Sequence, residues 1–286
     1  MILFLADGRF GNQIFQYMFL KTLQKDNKHI VVSGFEDLIS ILDIKDIVNF
    51  NKKNKWIRGA FFRVLKPFLL YLADKKIISS VQVVHENVLN IYKRESTEYI
   101  YTEGFFKNLT FVKLAFFQSE SFFDEKLINC LQIKNKFILN AQDFLHDFTN
   151  KYKVFVHIRR GDYKDYKVYG KSTLLPMEYF HKQIQWFLAN KQNPCFIFLS
   201  DEPEFIEKEF DYLDNKVISK NSYEVDFAIM TLCNGAILSP SSFAWWGSYL
   251  MKDRDLVFVP KYWLGFSAKE EYHKKPLASY MREIMI

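Results

Sequence analysis

The feature that most limits the fold of this chain is the alternation of short apolar runs with helical segments in its second half. Strand-like runs recur at residues 154–158, 196–199, 216–219, 236–238 and 256–259. The segments between them carry apolar residues at helical spacing, as in residues 177–190. Short buried strands that alternate with helices are typical of parallel βαβ units. We therefore predict a doubly wound, Rossmann-like domain over residues 151–265.

The first half of the chain begins with the same pattern and then becomes less regular. Strand or helix patterns occur in turn at residues 2–6, 13–24, 29–33, 80–84 and 99–102. We predict a second Rossmann-like α/β domain over residues 1–150. The last residues, 266–286, are predicted to form a helical segment that packs back on this N-terminal domain.

Composition places the chain among globular proteins. Of its 286 residues, 49% are hydrophobic and 25% are charged, which excludes a disordered or collagen-like protein. The three cysteines, Cys130, Cys195 and Cys233, are widely spaced and form no Cys-x-x-Cys pair. This spacing argues against a disulfide framework and against a cysteine-rich zinc site. The formal net charge of +6 favours anionic partners.

The sequence also carries information on location. The N-terminal residues do not resemble a secretory signal, because Asp7 interrupts the first apolar run and no basic segment precedes that run. No apolar run reaches the ~18 residues that a membrane-spanning helix needs. Together with the isolated cysteines, which suit a reducing compartment, these features predict a cytoplasmic protein.

A glycine-containing turn follows the first predicted strand and opens the first helix. Its residues, 7–13, read Asp-Gly-Arg-Phe-Gly-Asn-Gln, and the two glycines allow a tight turn and a close approach of the backbone to a ligand. The free N–H groups at a helix N-terminus suit an anion. The segment has neither a Gly-x-Gly-x-x-Gly fingerprint nor a P-loop lysine. Two interpretations stay open: a capped structural turn, or an anion-binding turn.

A second segment, residues 157–163, reads His-Ile-Arg-Arg-Gly-Asp-Tyr and ends a predicted buried strand. The carboxyl ends of strands are where ligands bind in doubly wound sheets. His157 and Arg159 point to the same side of the strand. Two arginines at such an edge need carboxylates or an anionic ligand, and guanidinium groups match phosphate well. The alternative is a structural pairing of arginine with Asp162.

A third segment, residues 240–247, reads Pro-Ser-Ser-Phe-Ala-Trp-Trp-Gly and again joins a strand to a helix. Two uses fit Ser241 and Ser242: capping the helix, or holding a phosphate together with backbone N–H groups. Phe243 is a candidate for contact with a base or a sugar. The two tryptophans fit the core better than a binding surface.

Several isolated acids are weaker candidates. Asp201 ends a predicted strand and Asp226 begins a predicted helix, and each position is more typical of a cap than of a ligand contact. Asp253 and Asp255 form an Asp-x-Asp pair of the kind that binds metals. That pair lies before the last strand, away from the carboxyl edge, so we give it no weight.

Taken together, these segments resemble the α-1,2-fucosyltransferases of glycosyltransferase family 11. The matching segments are Gly-Arg-Phe-Gly-Asn-Gln at 8–13, the stretch 157–163, and Ser-Ser-Phe-Ala-Trp-Trp at 241–246. Shorter matching stretches lie at 117–120, 198–201 and 259–263. All of them occur in the family's order over nearly the whole chain. The sequence departs from the family at Ala6-Asp7, where glycine is more usual, and at Pro240, where asparagine is more common.

The resemblance implies a GT-B fold, in which two Rossmann-like domains face a cleft. It implies that the C-terminal domain binds GDP-β-L-fucose and that the N-terminal domain binds a galactose-terminated glycan or a lipid-linked oligosaccharide. It implies no metal and no other cofactor. The residues that it places at the nucleotide are Asn12, His157, Arg159, Arg160, Asp162, Asp201, Asp226, Ser241, Ser242 and Phe243.

The implied reaction transfers fucose to O2 of galactose with inversion. Breaking the bond between C1 and GDP builds negative charge on the β-phosphate, and a positioned guanidinium stabilises that charge in the transition state. The resemblance gives this catalytic role to Arg159, with Arg160 structural or auxiliary. Asp7 and Asp162 are candidates for the base that takes the acceptor's proton, and a dissociative reaction without a dedicated base also fits.

Other functions remain as alternatives. The runner-up is a GDP-sugar transferase that makes a different fucosyl linkage. From another class, the basic and aromatic stretch at residues 52–71 is a candidate surface for a membrane or a nucleic acid, although a core helix with a solvated basic edge fits it better. We predict no nucleic-acid partner, whereas peripheral contact with the inner membrane would suit a lipid-linked acceptor. A non-catalytic sugar-binding protein would not need two arginines at this edge.

Overall fold

The computed structural model describes residues 1–24, 29–50 and 55–286, and within the last range it describes only the backbone of residues 55–58, 60 and 61. No helix in these ranges combines the length and the apolar character that crossing a lipid bilayer requires. The basic and aromatic stretch at 52–71 lies partly outside the described residues, because residues 52–54 are not among them.

The chain divides into two compact units, and each is described by itself. Unit 1 comprises Met1–Gln132 and His273–Lys275. Unit 2 comprises Ile133–Tyr272 and Pro276–Ile286. Each unit holds one six-stranded sheet flanked by helices, as the two predicted Rossmann-like domains require.

The sheet of unit 1 is built from β1 (Ile2–Leu5), β2 (Ile30–Ser33), β3 (Ile47–Phe50), β4 (Ile78–Val88), β5 (Tyr92–Thr102) and β6 (Phe106–Val112). The strand order is β3-β2-β1-β6-β4-β5, and all neighbours are parallel except the β4–β5 hairpin. The chain moves outward from β1 to β2 and β3, crosses to the other side of β1 to form β4 and β5, and then adds β6 between β1 and β4. The order therefore reverses between β1 and β6.

The helices of unit 1 are α1 (Phe10–Leu23), α2 (Glu36–Ile41) and α3 (Lys55–Asp74), with short 3₁₀ helices at Glu120–Phe122 and Glu125–Cys130. An aromatic core surrounds α1 and buries it along most of its length. Phe19 stacks on Phe117 with 4.0 Å between ring centroids, and Phe122 meets both rings edge-on. Large rings fill this volume, which accounts for much of the high phenylalanine content.

The strands of unit 2 are β7 (Tyr152–Ile158), β8 (Lys167–Val168), β9 (Lys171–Ser172), β10 (Pro194–Ser200), β11 (Lys216–Ile218), β12 (Gly235–Leu238), β13 (Leu256–Pro260) and β14 (Arg282–Ile284). The main sheet is entirely parallel, in the order β11-β10-β7-β12-β13-β14. β8 and β9 form a separate small hairpin. The main sheet has the order of a Rossmann fold, with its switch point between β7 and β12.

The helices of unit 2 are α4 (Asn135–Phe144), α5 (Met177–Asn190), α6 (Pro203–Glu209), α7 (Tyr223–Thr231) and α8 (Ser242–Tyr249), with 3₁₀ helices at His146–Phe148, Asp162–Lys164 and Trp263–Ala268. The two tryptophans of α8 are core residues, as predicted. Trp245 and Trp246 are 1% and 0% exposed, and Trp245 Nε1 donates to the carbonyl oxygen of Pro276 at 2.9 Å. Because of this anchoring, the start of α8 has a fixed position on the sheet.

Two sequence-based boundaries need correction. The division of the chain falls between residues 132 and 133 and not near residue 150, because α4 packs against α7 of unit 2. The predicted helix over 266–286 is also wrong. A 3₁₀ helix ends at Ala268, and β14 then adds a sixth parallel strand beside β13. The segment between them includes Pro276, which has no N–H to give to a helix.

The packing of β10 generates a stability prediction. Phe198 is fully buried in the core of unit 2 and lies 4.6 Å from Phe210, measured between ring centroids. We expect Phe198→Ala to lower the unfolding free energy of this unit by about 3–5 kcal/mol, because a large cavity replaces the ring. Thermal and urea unfolding would measure it. Phe198→Leu is the matched control and should cost much less, so an equal loss in both variants would contradict a packing effect.

Candidate functional site

The predicted site segments meet at the carboxyl edge of the sheet in unit 2, where β7 and β12 run side by side. Ser239, the residue after β12, links the two strand ends and is 1% exposed. Its hydroxyl donates to the carbonyl oxygen of His157 at 2.9 Å and accepts from the backbone N–H of Arg159 at 2.9 Å. This serine therefore fixes the backbone at the end of β7. The switch point of the sheet lies here, between β7 and β12.

The next strand along the sheet holds the same turn from its other side. Asp201, the residue after β10, accepts hydrogen bonds from the backbone N–H groups of Arg160 at 3.0 Å and of Gly161 at 3.1 Å. A Cβ atom on Gly161 would lie only 2.7 Å from Asp201 Oδ2, so glycine is needed for this close approach. The structure thus places Asp201 as the organiser of the turn at 159–161.

Arg159 is the cation that this turn presents. Its Nε lies 2.8 Å from Asp162 Oδ1 and 3.4 Å from Asp201 Oδ2, and its side chain is 26% exposed. Tyr163 lies beneath the guanidinium, 6.0 Å from it to the ring centroid, and donates a hydrogen bond to the carbonyl oxygen of Pro240. Arg159 is therefore oriented by two carboxylates while it still reaches solvent.

Arg160 has a different environment. Its Nε donates to Glu202 at 3.0 Å, and its guanidinium lies 3.7 Å above the ring of Phe205. Lys164 binds the same carboxylate, and the two cations hold the pKa of Glu202 below its ordinary value. A carboxylate and an aromatic ring thus contact Arg160, and its structural or auxiliary role at the nucleotide stays a prediction.

His157 faces the space beside this turn. It is 7% exposed, and its Nδ1 has no hydrogen-bond partner among the described residues. Burial, reinforced by the charge of Arg159, lowers the pKa of His157 to about 3, so the ring is neutral at neutral pH. The Phe243 ring lies 6.2 Å from the imidazole and 5.5 Å from Phe227, measured between centroids. An unmatched buried nitrogen beside aromatic rings suits a flat polar ligand.

The start of α8 adds backbone donors to the same edge. Ser241 is the residue before the helix, and its side chain makes no capping hydrogen bond. Ser241, Ser242 and Phe243 are all partly exposed. The first N–H groups of a helix have no partners within the helix, and its dipole favours negative charge. These N–H groups follow the segment 239–240. Hydrogen bonds of Ser239 and Tyr163 connect that segment to the turn at residues 159–161, which we call the arginine turn.

Asp226 lies in the first turn of α7, directly before Phe227. It is half-buried and accepts a hydrogen bond from the Ser219 hydroxyl. Burial raises the pKa of Asp226 from 3.8 to about 7. A carboxyl that titrates near neutral pH can donate a hydrogen bond when it is protonated and accept hydrogen bonds when it is ionised. The prediction that Asp226 and His157 meet a nucleotide stays a prediction.

In unit 1, the glycine turn is held by a set of amide side chains. Gln13 donates to the carbonyl oxygen of Gly8 at 3.0 Å, and Gln16 donates to those of Asp7 at 2.9 Å and Ala115 at 3.3 Å. The Asn12 carboxamide oxygen accepts from Gln118 Nε2 at 2.8 Å. This turn lies at the switch point between β1 and β6. Its place is therefore equivalent to that of the arginine turn in unit 2.

Gly8 has a specific conformational reason to be glycine. Its φ of +87° lies in the left-handed region, and a Cβ atom there would lie 2.6 Å from Asn12 Nδ2. The structure thus places Asn12 against the backbone of its own turn. The contact of Asn12 with a diphosphate stays a prediction.

The discounted Asp-x-Asp pair has a structural use. Asp255 binds Lys191 at 2.5 Å and accepts a hydrogen bond from Tyr152 at 2.6 Å. These contacts lie at the opposite end of β7 from the arginine turn, since Tyr152 is its first residue. They join α5, β7 and β13 at that end of the sheet.

The structure brings together at one sheet edge most residues that the sequence singled out. They are His157, Arg159, Arg160, Asp162, Asp201, Ser241, Ser242 and Phe243, with Asp226 one residue from Phe227. Sequence reasoning missed Ser239, Glu202 and Ser219, which position these residues. The signal for Ser239 was its place directly after an apolar strand run, opposite the end of β7. Nothing in the sequence pattern indicated that Glu202 binds Arg160.

Comparison with solved structures defines the class of protein to which this fold belongs. The fucosyltransferase NodZ from Bradyrhizobium aligns with a TM-score of 0.51 at 10% identity, covering 87% of this chain and 92% of NodZ. The two Rossmann-like units have the GT-B fold, as the resemblance implied. At this identity the likeness concerns the fold alone.

The family follows from the sequence comparison. The model of glycosyl transferase family 11 matches residues 1–283, so the chain belongs to that family. Two relatives are from Escherichia coli. The O-antigen biosynthesis glycosyltransferase WbnK is 26% identical, covering 92% of this chain and 95% of WbnK. An α-1,2-colitosyltransferase is 25% identical, with 90% of each chain covered.

The raised pKa of Asp226 generates a prediction on pH and stability. The folded protein binds this proton more tightly than the unfolded chain, so the stabilisation is complete below about pH 4 and is lost as pH rises through about 7. At about 1.4 kcal/mol per pKa unit, the whole loss is about 4 kcal/mol, of which about 3 kcal/mol falls between pH 5 and pH 8. We expect Asp226→Asn, which cannot ionise, to lack this loss. Urea unfolding at about pH 5 and pH 8 would measure the difference, and parallel profiles for the two proteins would contradict it.

Proposed function

We propose that the protein transfers L-fucose from GDP-β-L-fucose to O2 of a terminal galactose on a glycan, with inversion and without a metal ion. The observation that carries the proposal is Arg159 at the switch point of unit 2, oriented by two carboxylates and accompanied by the open start of α8. Membership of glycosyl transferase family 11 supports this activity class.

The edge of unit 2 offers chemistry for each part of a guanosine diphosphate sugar. Arg159 and the N–H groups at the start of α8 suit the diphosphate, since a guanidinium and a helix N-terminus both favour phosphate oxygens. Neutral His157 and the Asp226 carboxyl suit the polar edge of the base or the ribose. The Phe243 ring supplies an apolar face beside them.

In the proposed reaction, the bond between fucose C1 and the β-phosphate oxygen breaks and its electron pair stays on GDP. The galactose O2 forms a new bond to C1 from the opposite face, and its proton leaves to a base or to water. Arg159 lowers the barrier because its charge meets the oxygen that becomes more negative in the transition state. A fixed guanidinium in this place performs the charge stabilisation that a metal ion performs in other transferases.

We assign Asp162 to the orientation of Arg159 and not to proton transfer. Asp162 Oδ1 accepts from Arg159 Nε at 2.8 Å, so this carboxylate already serves to orient the guanidinium. Asp7 remains as a candidate from the sequence. Its Oδ1 accepts from the Gly8 N–H at 2.7 Å and leaves the second carboxylate oxygen for another partner.

A second candidate function is colitosyl transfer by the same site. It is favoured by the α-1,2-colitosyltransferase relative, which aligns with this chain over nearly its whole length. Both reactions place the same demands on Arg159. The two candidates differ in the donor sugar, so a comparison of donors distinguishes them.

Removing the guanidinium tests the proposed catalytic role. We expect Arg159→Ala to lower kcat by about 10²–10³, because the donor that stabilises the leaving diphosphate is lost. The fold should persist, since Asp162, which loses this ion pair, is 60% exposed and can be solvated, and Asp201 keeps its hydrogen bonds from the backbone N–H groups of Arg160 and Gly161. Steady-state kinetics would measure the effect, with circular dichroism and thermal unfolding as folding checks.

Arg159→Lys is the matched variant, because it keeps the charge and loses the guanidinium geometry. It should retain part of the activity that the alanine variant loses. Near-normal kcat in a folded Arg159→Ala enzyme would refute the proposed mechanism.

A donor and acceptor panel tests the reaction itself. We expect turnover when GDP-fucose is combined with galactose-terminated acceptors such as lactose, and an α-1,2 linkage in the product by NMR. Turnover should not change when a chelator is added. Transfer only from a colitosyl donor would favour the second candidate. A different linkage would favour another fucosyltransferase activity, and chelator-sensitive turnover would contradict the metal-free reaction.

A further inference from the structure

A surface of unit 1, apart from the site of unit 2, carries exposed apolar side chains in an unusual density. The inner face of α3 packs Leu69 and Ala73 into a core with Ile78 of β4. On the outward face of the same helix, Val64, Phe68 and Tyr71 are 74%, 54% and 57% exposed. Their spacing of four and then three residues puts them on one side of the helix.

Two further rings lie at the end of the same helix. The backbone N–H groups of Phe105 and Phe106 donate to the carbonyl oxygens of Lys76 and Ile77 at 2.8 and 2.9 Å. These two rings are 81% and 56% exposed and contact each other edge-on. We call Val64, Phe68, Tyr71, Phe105 and Phe106 the apolar face. A group of large apolar side chains that remains in water marks an interaction surface.

Basic residues accompany the apolar face. Within residues 62–76 and 103–113 there are six cationic and two acidic side chains. Both acids are already paired: Asp74 binds Lys113 at 3.0 Å, and Glu103 binds Lys107 at 2.6 Å. The surroundings of the apolar face therefore carry a net positive charge, which complements an anionic surface.

A groove of about 720 Å³ next to the end of α3 extends this basic region. It is lined by residues of α3, β4 and β5, which include Asp74, His85 and Lys93, and by Lys76 and Lys113 on adjoining segments. Because Asp74 pairs with Lys113, Lys76 and Lys93 are the ammonium groups that this groove offers to a phosphate-bearing headgroup.

We propose that the apolar face docks on an anionic lipid bilayer. Its rings and Val64 enter the boundary between headgroups and acyl chains, while the surrounding lysines and Arg63 contact anionic headgroups. A symmetric contact with a second copy is disfavoured because it would bring two positively charged surfaces together. A nucleic acid would use the charges but would leave Val64 without a suitable partner. The proposal does not depend on the proposed transfer reaction.

Vesicle flotation tests the proposal without any enzymatic readout. The intact protein is mixed with vesicles of phosphatidylcholine alone or of phosphatidylcholine with phosphatidylglycerol. We expect binding to the anionic vesicles that weakens in high salt but persists in part, because the apolar contribution is not screened. The variant Phe68→Glu/Tyr71→Glu should bind at least tenfold more weakly. Its thermal unfolding should be unchanged, since both side chains are already exposed.

Leu139→Glu is the matched control. Leu139 is 62% exposed on α4 of unit 2, so the variant replaces an exposed apolar side chain with glutamate on another surface. Its binding to anionic vesicles should equal that of the wild type. Arg63→Gln/Lys75→Gln should reduce the preference for anionic vesicles.

Several results would overturn the proposal. One is an absence of vesicle binding, and another is an equal loss of binding in the Leu139 and Phe68/Tyr71 variants. A third is binding of single-stranded RNA in place of vesicles. The fourth is a protein that does not bind vesicles but forms a dimer in sedimentation equilibrium, which Phe68→Glu/Tyr71→Glu dissociates.

Discussion

The site of unit 2 depends on two short hydrogen-bonded links between neighbouring strand ends. Ser239 joins the end of β12 to that of β7, and Asp201 joins the end of β10 to the same turn. The turn after a central strand would otherwise be free to vary, because a parallel ladder no longer holds the backbone beyond its last pair. With both links in place, the direction of Arg159 follows from the sheet itself.

The two consecutive arginines have different surroundings. Arg160 donates to Glu202 and lies over the ring of Phe205, and Lys164 shares the same carboxylate. Arg159 contacts the carboxylates of Asp162 and Asp201, and its side chain is more exposed than that of Arg160. The same residue type is thus enclosed at one position and partly open to solvent at the next, according to its partners.

Much of this was predictable from the sequence, because the signals were periodic and local. The alternation in residues 151–265 predicted the parallel sheet, and the strand-end position of 157–163 predicted the edge at which the candidate residues meet. The C-terminal segment was mispredicted, since β14 is a strand only through its pairing with β13, which no local pattern reveals. For the same reason, the partners Glu202 and Ser239 were missed. For residues 52–71, the sequence favoured a core helix over an interaction surface. The exposed apolar side chains of α3 were not predicted, because composition does not show which side of a helix is covered.

The ion pairs of Arg159 bear on how a bound anion would leave the site. In the proposed reaction, the diphosphate would compete for this guanidinium with Asp162, whose Oδ1 lies 2.8 Å from Arg159 Nε. The carboxylate would offset part of the attraction between the guanidinium and the phosphate oxygens. The proposed enzyme would then hold GDP less firmly than an enzyme with an unopposed cation in this place, and product release is often the slow step of a catalytic cycle.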